Sequence, residues 1–240
     1  MRDFYKIGRL FYGVSMAALG LLTICYRDVA YFLLPPNHGW LTSHNLLIYL
    51  FGTLLFIAGS CIILAKKLSL TSLLLGIALL LIFCFYFVPV QLSAWSNYRS
   101  MGAWENSFKE LALAGGAFAL TGRKTGNLIF GFCILFFGTM HFVYAREAGD
   151  YISAWIPAHL FWMYLTGTAL VGSGVAILFN IKRKLCALLL GIMIFLWVLI
   201  LHIPKSLAAP FAENAGEITS GFLALAYCGT ALVIARRQKK

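Results

Sequence analysis

The side chains that could carry chemistry are concentrated in the second half of this 240-residue chain. His141, His159 and His202 each stand where an apolar segment begins or ends, and Glu213 and Glu217 precede the last apolar segment. Imidazole donates hydrogen bonds or relays protons near neutral pH, and a carboxylate accepts protons or orients a histidine. These five residues predict a site that binds a polar ligand or a quinone head group.

Metal and haem binding are the weaker alternatives. His141 and His202, on facing helices, could ligate a haem iron axially, and three histidines with a glutamate could hold a divalent metal ion. No His-x-x-His or Glu-x-x-His spacing supports a metal site. We therefore predict no metal and leave the cofactor open, with quinone the favoured candidate. The same residues could instead act only as hydrogen-bonded helix ends and loop anchors.

The first half of the chain offers fewer such residues. His38 matches His159, since each follows a proline by two positions, and Glu110 matches Glu217 before a segment rich in small residues. We expect His38 and Glu110 to form a weaker counterpart of the main site. Four aromatic residues could wall the ligand or anchor the chain at the lipid headgroups: Trp155, Phe161, Trp162 and Trp197.

Apolar segments must position all of these residues. The chain is 61% hydrophobic and only 11% charged, which excludes an ordinary soluble domain. A bilayer core about 30 Å thick needs roughly 20 apolar residues per spanning helix. The sequence offers eight such segments, near 7–25, 45–65, 69–92, 107–121, 127–145, 157–179, 185–203 and 218–235. We expect an all-α integral membrane protein with eight transmembrane helices, of which the fourth is the weakest because Glu110 falls in its first turns.

The net charge of +11 comes from short basic groups, not from a nucleic-acid-binding face. The groups are Arg2/Lys6/Arg9, Lys66/Lys67, Arg123/Lys124, Lys182/Arg183/Lys184 and Arg236/Arg237/Lys239/Lys240. Two apolar segments separate each successive pair of groups, and every histidine and every acidic residue except Asp3 falls toward the opposite side. Lysine and arginine are retained in short cytoplasmic loops. Both termini are thus predicted to be cytoplasmic and the polar site extracytoplasmic.

The chain also repeats itself with an offset of 115 residues. The sequence YLFGT at 49–53 matches YLTGT at 164–168, LLLG at 73–76 matches LLLG at 188–191, and Pro89 matches Pro204. Each half therefore holds four helices, at 1–122 and 123–240. Because four is even, both halves begin on the same side of the membrane, and the repeats are parallel about an axis along the membrane normal.

Several short features of the first repeat recur together in one known group of proteins. They are Gly8-Arg9 followed by Gly13 and Gly20, an extended loop ending in Pro36-Asn37-His38, a Gly52–Gly59 helix, a third helix ending at a proline, and an acidic residue entering the fourth helix. A duplicated four-helix unit of this kind resembles the DoxX-like superfamily of small membrane proteins, over nearly the whole chain. The resemblance implies the fold above. It also implies a role beside quinone-linked oxidases, beside thiol- or superoxide-handling complexes, or in eukaryotic cargo or receptor assembly.

Two features of the sequence differ from the pattern of that superfamily, and they limit the roles that the resemblance implies. The six cysteines each stand alone in an apolar segment, so the pair expected for thiol transfer is absent. The last five residues, RRQKK, lack lysines at the third and fourth positions from the end, so they form no dilysine retrieval signal. Both departures favour a protein of the bacterial inner membrane.

These observations lead to three candidate functions. The favoured one is an accessory or quinone-like-ligand-binding subunit of a membrane redox system, which contacts lipid and other subunits of that system and is compatible with homo-oligomers. The second is a small-solute transporter, and the third is a non-catalytic assembly or scaffold subunit. Whether the protein is an enzyme is left open.

Overall fold

The computed structural model describes residues 2–34, 45–93, 99–209 and 216–236. These ranges are largely helical and contain no strand, which confirms the prediction of an all-α protein. The helices are α1 Arg2–Tyr26, α2 Asn45–Ile63, α3 Leu68–Ser93, α4 Met101–Leu120, α5 Lys124–Val143, α6 Ala145–Gly149, α7 His159–Leu178, α8 Arg183–Ala208 and α9 Gly216–Ile234.

Seven of these helices are long and apolar enough to cross a membrane: α1, α2, α3, α5, α7, α8 and α9. The chain is therefore a multi-pass membrane protein, as the composition predicts. The exception among the long helices is α4, whose hydropathy is lowered by Glu105, Lys109 and Glu110.

The start of α4 differs from the sequence prediction. Ser100 caps the helix, and its Oγ accepts a hydrogen bond from the Ala103 backbone N–H at 3.4 Å, an arrangement that satisfies an otherwise unpaired N–H. The helix thus begins at Met101 and not near residue 107, because the cap outweighs the low hydropathy of the following polar residues. Glu110 is the tenth residue of a 20-residue helix. Its predicted position in the first turns of a helix is wrong.

The most buried helical segments lie in α4 and α9. Residues 110–120 of α4 and 226–234 of α9 are all buried. By contrast, α2, α3 and α8 expose long apolar side chains along their length, among them Leu54 at 58%, Leu74 at 57% and Leu189 at 55%. Exposed apolar faces of this extent are unfavourable in water and suit contact with lipid tails.

Glycines allow two close helix pairs to form. Gly20 of α1 faces Gly52 of α2, and a Cβ on Gly20 would stand only 2.5 Å from the Gly52 carbonyl oxygen. The same arrangement recurs between α5 and α7, where a Cβ on Gly174 would stand 2.9 Å from the Gly131 carbonyl oxygen. Lipid supplies no hydrophobic drive between helices, so close backbone approach of this kind supports their packing.

Long helices that follow one another along the chain run antiparallel, and the bundle has two distinct ends. At one end, which we call the basic end, Arg236 lies over the Tyr5 ring at 4.5 Å from its centroid, and Tyr5 Oη donates to the Leu120 carbonyl oxygen at 3.3 Å. The short connections that carry the remaining described basic groups lie at this end. The opposite end, which we call the histidine end, holds the last turns of α5 and α8 and the first turns of α7 and α9.

Helices α3 and α8 share an irregularity at equivalent positions. Each contains a π-helical turn, Phe83–Phe87 in α3 and Val198–His202 in α8. A proline follows two residues after each turn, Pro89 and Pro204. Proline lacks a backbone N–H and disturbs the preceding helical turn, and such turns often accommodate this disturbance. The two turns, and the bounds of α3 and α8 themselves, are offset by 115 residues.

Candidate functional site

A compact polar cluster lies at the histidine end, built from Tyr151, Lys205 and Glu217. Tyr151 Oη donates a hydrogen bond to Glu217 Oε2 at 2.6 Å. Lys205 Nζ lies 3.7 Å from Glu217 Oε1 and donates to the Tyr151 carbonyl oxygen at 2.9 Å. The same ammonium stands 3.3 Å from the centroid of the Tyr151 ring. The three side chains therefore hold one another in place.

His202 adjoins this cluster and contributes an unsatisfied nitrogen. Its ring centroid is 6.4 Å from that of Tyr151, and both Glu217 and Lys205 act on it electrostatically. Its Nδ1 is buried and has no hydrogen-bond partner. A buried polar atom left unpaired costs about 1–3 kcal/mol, so a ligand that supplies a partner to this nitrogen would be favoured.

Local structure explains how these residues meet. His202 ends the π-helical turn of α8 and Lys205 follows one turn later. Glu217 is the second residue of α9, where the helix dipole favours a negative charge. Gly221, one turn further, brings α9 close to α8, since a Cβ there would lie 3.5 Å from His202 Cβ.

The ionisation of Tyr151 reflects its neighbours. Partial burial raises the pKa of the phenol above its ordinary value, and the hydrogen bond to Glu217 and the charge of that carboxylate raise it further. Tyr151 lies between α6 and α7, outside the seven spanning segments. Its hydroxyl therefore stays protonated and serves as a donor across the physiological pH range.

The contacts of His141 and His159 within the described residues involve no member of this cluster. His141 Nδ1 interacts with the Phe137 carbonyl oxygen one turn earlier in α5, at 2.8 Å, and His141 Cβ packs where Gly167 of α7 leaves room. His159 begins α7 and lines an open surface groove together with Ala154 and residues 156–161. No hydrogen bond or ion pair in the described ranges joins either histidine to Glu217. His38 and Glu213 lie outside the described residues.

Glu110 is found in an unexpected place. Its side chain is fully buried in α4, and neither carboxylate oxygen has a hydrogen-bond partner. Because Glu110 lies midway along α4 while Glu217 opens α9, the two glutamates are not at equivalent depths. The pairing of these two residues by repeat position stays a prediction, and in the structure the helix that contains Glu110 starts earlier than its hydropathy suggests.

The four aromatic residues predicted to form a wall divide into two groups. Trp162 packs edge-on against Trp197 at 5.9 Å and against Phe161 at 5.3 Å between ring centroids. Trp162 and Trp197 also pack against the small apolar cluster beneath the connection from α6 to α7. Trp155 is 62% exposed, and within the described residues no ring contact joins it to them.

Metal binding gains no support from the described ranges, where no three residues among histidine, cysteine, aspartate and glutamate come together as a metal set. Two members of the observed cluster, Tyr151 and Lys205, were not assigned to the site by sequence reasoning. The sequence does mark Lys205 as unusual, because it is one of the few basic residues that lie outside the five basic groups. Nothing comparable marks Tyr151 among the 11 tyrosines.

Comparison with known proteins gives no relative for this chain: no family model matches it, and neither a curated protein nor a solved structure does.

Proposed function

We propose that this membrane protein binds a small polar or quinone-like ligand at its histidine end, as an accessory subunit of a membrane redox system. The observation that carries the proposal is the buried, unpartnered Nδ1 of His202 beside a tyrosine, a lysine and a glutamate. A quinone head group presents carbonyl oxygens, which need a hydrogen-bond donor, and its reduction needs proton transfer.

Each residue of the cluster has a separate task in this proposal. His202 donates a hydrogen bond from Nδ1 to a ligand carbonyl. Glu217 accepts or supplies protons, and its carboxylate is oriented by Tyr151 Oη at 2.6 Å. Lys205 neutralises the carboxylate and stabilises negative charge that develops on the ligand, a role that an ammonium performs at short range. Trp197, five residues before His202 in α8, supplies an apolar surface nearby.

The topology within this proposal has eight spans. Helix α4 is the eighth, sheltered from lipid by its neighbours, and the basic end faces the cytoplasm of a bacterial cell, with both chain ends there. Two parallel four-helix repeats of the DoxX-like kind are supported by the 115-residue offset between the bounds and π-helical turns of α3 and α8. The matching glycine contacts of α1 with α2 and of α5 with α7 support the same repeat.

The ligand proposal is tested with the detergent-purified protein and decyl-substituted benzoquinone as the probe. Quenching of tryptophan fluorescence reports binding, because Trp197 lies close to His202 in sequence and helix. We expect His202→Ala to weaken binding about tenfold, the effect of losing one hydrogen bond of about 1–1.5 kcal/mol. The matched control is Leu207→Ala on the same helix, whose side chain is 77% exposed and which should bind normally.

The outcomes of this test are distinct. Unchanged affinity in both His202→Ala and Glu217→Gln would overturn the proposed site. Weaker quinone binding in His159→Ala alone would place the ligand site in the groove beside the start of α7. Absence of quinone binding together with a stoichiometric partner protein in the purified sample would favour the scaffold function.

Small-solute transport is the second candidate, and one observation favours it. Repeat-built transporters place polar binding groups deep in the bundle, and Glu110 is such a group. Uptake into proteoliposomes that is driven by an imposed proton gradient, and is lost in Glu110→Gln, would support transport over ligand binding alone.

A further inference from the structure

Glu110 lies in the most enclosed part of the bundle. Every residue of α4 from Glu110 to Leu120 is buried, and α4 packs against α3, α5 and α9. Both Glu110 oxygens lack a hydrogen-bond partner, as does the hydroxyl of Ser107 one turn earlier, which is also fully buried. Two unpaired polar side chains one turn apart on one helix face are exceptional, because buried polar groups normally have hydrogen-bond partners.

Among the described residues, no positively charged side chain pairs with Glu110. Tyr12 of α1, Cys133 of α5 and Tyr227 of α9 are the ionisable groups that it influences electrostatically. Both tyrosine hydroxyls donate to α4 carbonyl oxygens, Tyr12 to Leu113 at 2.7 Å and Tyr227 to Lys109 at 2.8 Å. The ionisable residues of α3 are Cys84, which is exposed, and Tyr86.

The remaining charged groups of α4 lie nearer the histidine end. Lys109 Nζ pairs with Glu105 at 2.7 Å, and these side chains are 21% and 44% exposed. The Lys109 ammonium is thus occupied by Glu105, and it also lies 5.8 Å from the centroid of the Tyr31 ring. Ser107 lies one turn before Glu110 in α4, on the side of Glu110 that faces the histidine end.

An ionised carboxylate without donors or a cation is very costly in an apolar interior, so such a group carries a proton instead. We infer that Glu110 is a reversible proton-binding site in the core of the bundle, which exchanges its proton with the histidine end by way of Ser107. The ligand is a proton, bound to a carboxylate oxygen. Ser107 carries the hydroxyl closest to Glu110 in the sequence of α4, and a hydroxyl can both donate and accept a proton. This inference does not rest on the ligand proposed at the histidine end.

Infrared spectroscopy of the detergent-purified protein at neutral pH tests the inference without any added ligand. The wild type should show the C=O stretch of a protonated carboxyl, and this band should shift to lower frequency in D₂O as the proton exchanges. Glu110→Gln should lose the band and still fold, because an amide is a neutral mimic of the protonated acid. Ser107→Ala should keep the band and slow its shift.

The control is Glu147→Gln, which removes an exposed glutamate of α6 and should leave the band unchanged. A wild-type spectrum without the band would overturn the inference, as would a band that persists in Glu110→Gln or never shifts in D₂O. Loss of the band on addition of sodium ions would also overturn it, in favour of a metal cation at the carboxylate. Should Glu110→Gln fail to fold, Glu110→Asp replaces it, with a shifted band expected and an unshifted band counting against the inference.

Discussion

Among single residues, Lys205 has the most varied contacts of the polar cluster. Its ammonium meets a carboxylate, a backbone carbonyl and an aromatic face, at 3.7, 2.9 and 3.3 Å. Any one such contact at a surface contributes little, but the Lys205 and Glu217 side chains are only 24% and 23% exposed. Lys205 therefore joins the end of α8 to the start of α9 and to the connection that carries Tyr151.

Replacement of Lys205 by methionine should measure this role. We expect a loss of about 1–2 kcal/mol of unfolding free energy and a lower melting temperature, from the missing cation–π, hydrogen-bond and ion-pair contacts. Thermal unfolding in detergent, followed by circular dichroism, is the measurement. Lys184→Met, an exposed lysine of the same helix at the basic end, is the control. Equal effects of the two substitutions would show that the Lys205 contacts do not stabilise the bundle.

The Tyr151 hydroxyl gives a prediction about pH. Its pKa is raised, so the neutral phenol is the form that the folded protein favours. This contribution to stability is complete below about pH 10, the pKa of a free tyrosine, and is lost as the pH rises through the higher folded-state pKa. An ultraviolet titration of tyrosinate between about pH 9 and 11 should therefore give the same absorbance change for wild type and Tyr151→Phe. If the absorbance change of the wild type were larger by the contribution of one tyrosine, the raised pKa of Tyr151 would be contradicted.

Sequence reasoning found part of this cluster and missed the rest for a definite reason. Glu217 and His202 were marked by their residue type and by their places at helix ends. Tyr151 lies 66 residues from its partner Glu217, and nothing in the local sequence encodes such a contact. Of the three second-half histidines that were predicted to converge, His202 is the one with a contact to this cluster in the described structure. Helix order along the chain does not fix which side chains face one another.

Between helices, the glycine contacts decide how closely two segments approach. Sequence reasoning predicted the helix bounds well, since the apolar run lengths and breaks determine them, and it anticipated small-residue packing. It misjudged α4 because a cap residue, Ser100, extends a helix through polar positions. Hydropathy alone underestimates the length of a helix whose polar residues face other helices.

Gly20→Ala tests the contact of α1 with α2. Its new Cβ would stand 2.5 Å from the backbone of Gly52 and Phe56, so the helices must move apart, at a cost of about 1–3 kcal/mol. Gly172→Ala is the matched control, because a Cβ there meets nothing within 4 Å; it should be neutral or slightly stabilising, since alanine is the better helix former. Melting temperatures in detergent compare the two variants. A stable Gly20→Ala protein would mean that α1 and α2 tolerate a wider spacing.

For the whole molecule, the central question is whether α4 crosses the membrane. Its 20 residues span about 30 Å, enough for a bilayer core. Near its first residue, the Gly102 N–H donates to Tyr144 Oη at the histidine end at 3.2 Å. At its last residue, the Leu120 carbonyl oxygen accepts from Tyr5 Oη at the basic end at 3.3 Å. These two contacts fix α4 along the full length of the bundle, so its modest hydropathy reflects enclosure by protein.

Labelling of single cysteines tests this topology in a variant that lacks the six native cysteines. If α4 crosses, Arg123→Cys reacts with a membrane-impermeant maleimide from the same side as Lys66→Cys, and Asp150→Cys reacts from the other side. If α4 does not cross, one crossing is lost between residues 66 and 123. Arg123→Cys then reacts from the side opposite to Lys66→Cys, and Asp150→Cys reacts from the same side as Lys66→Cys. Leu113→Cys, fully buried within α4, is the control and should react only after denaturation. The first pattern shows that α4 crosses and encloses Glu110 within the membrane. Together with the seven apolar spans it gives eight crossings, an even number that places both ends of the chain on one side.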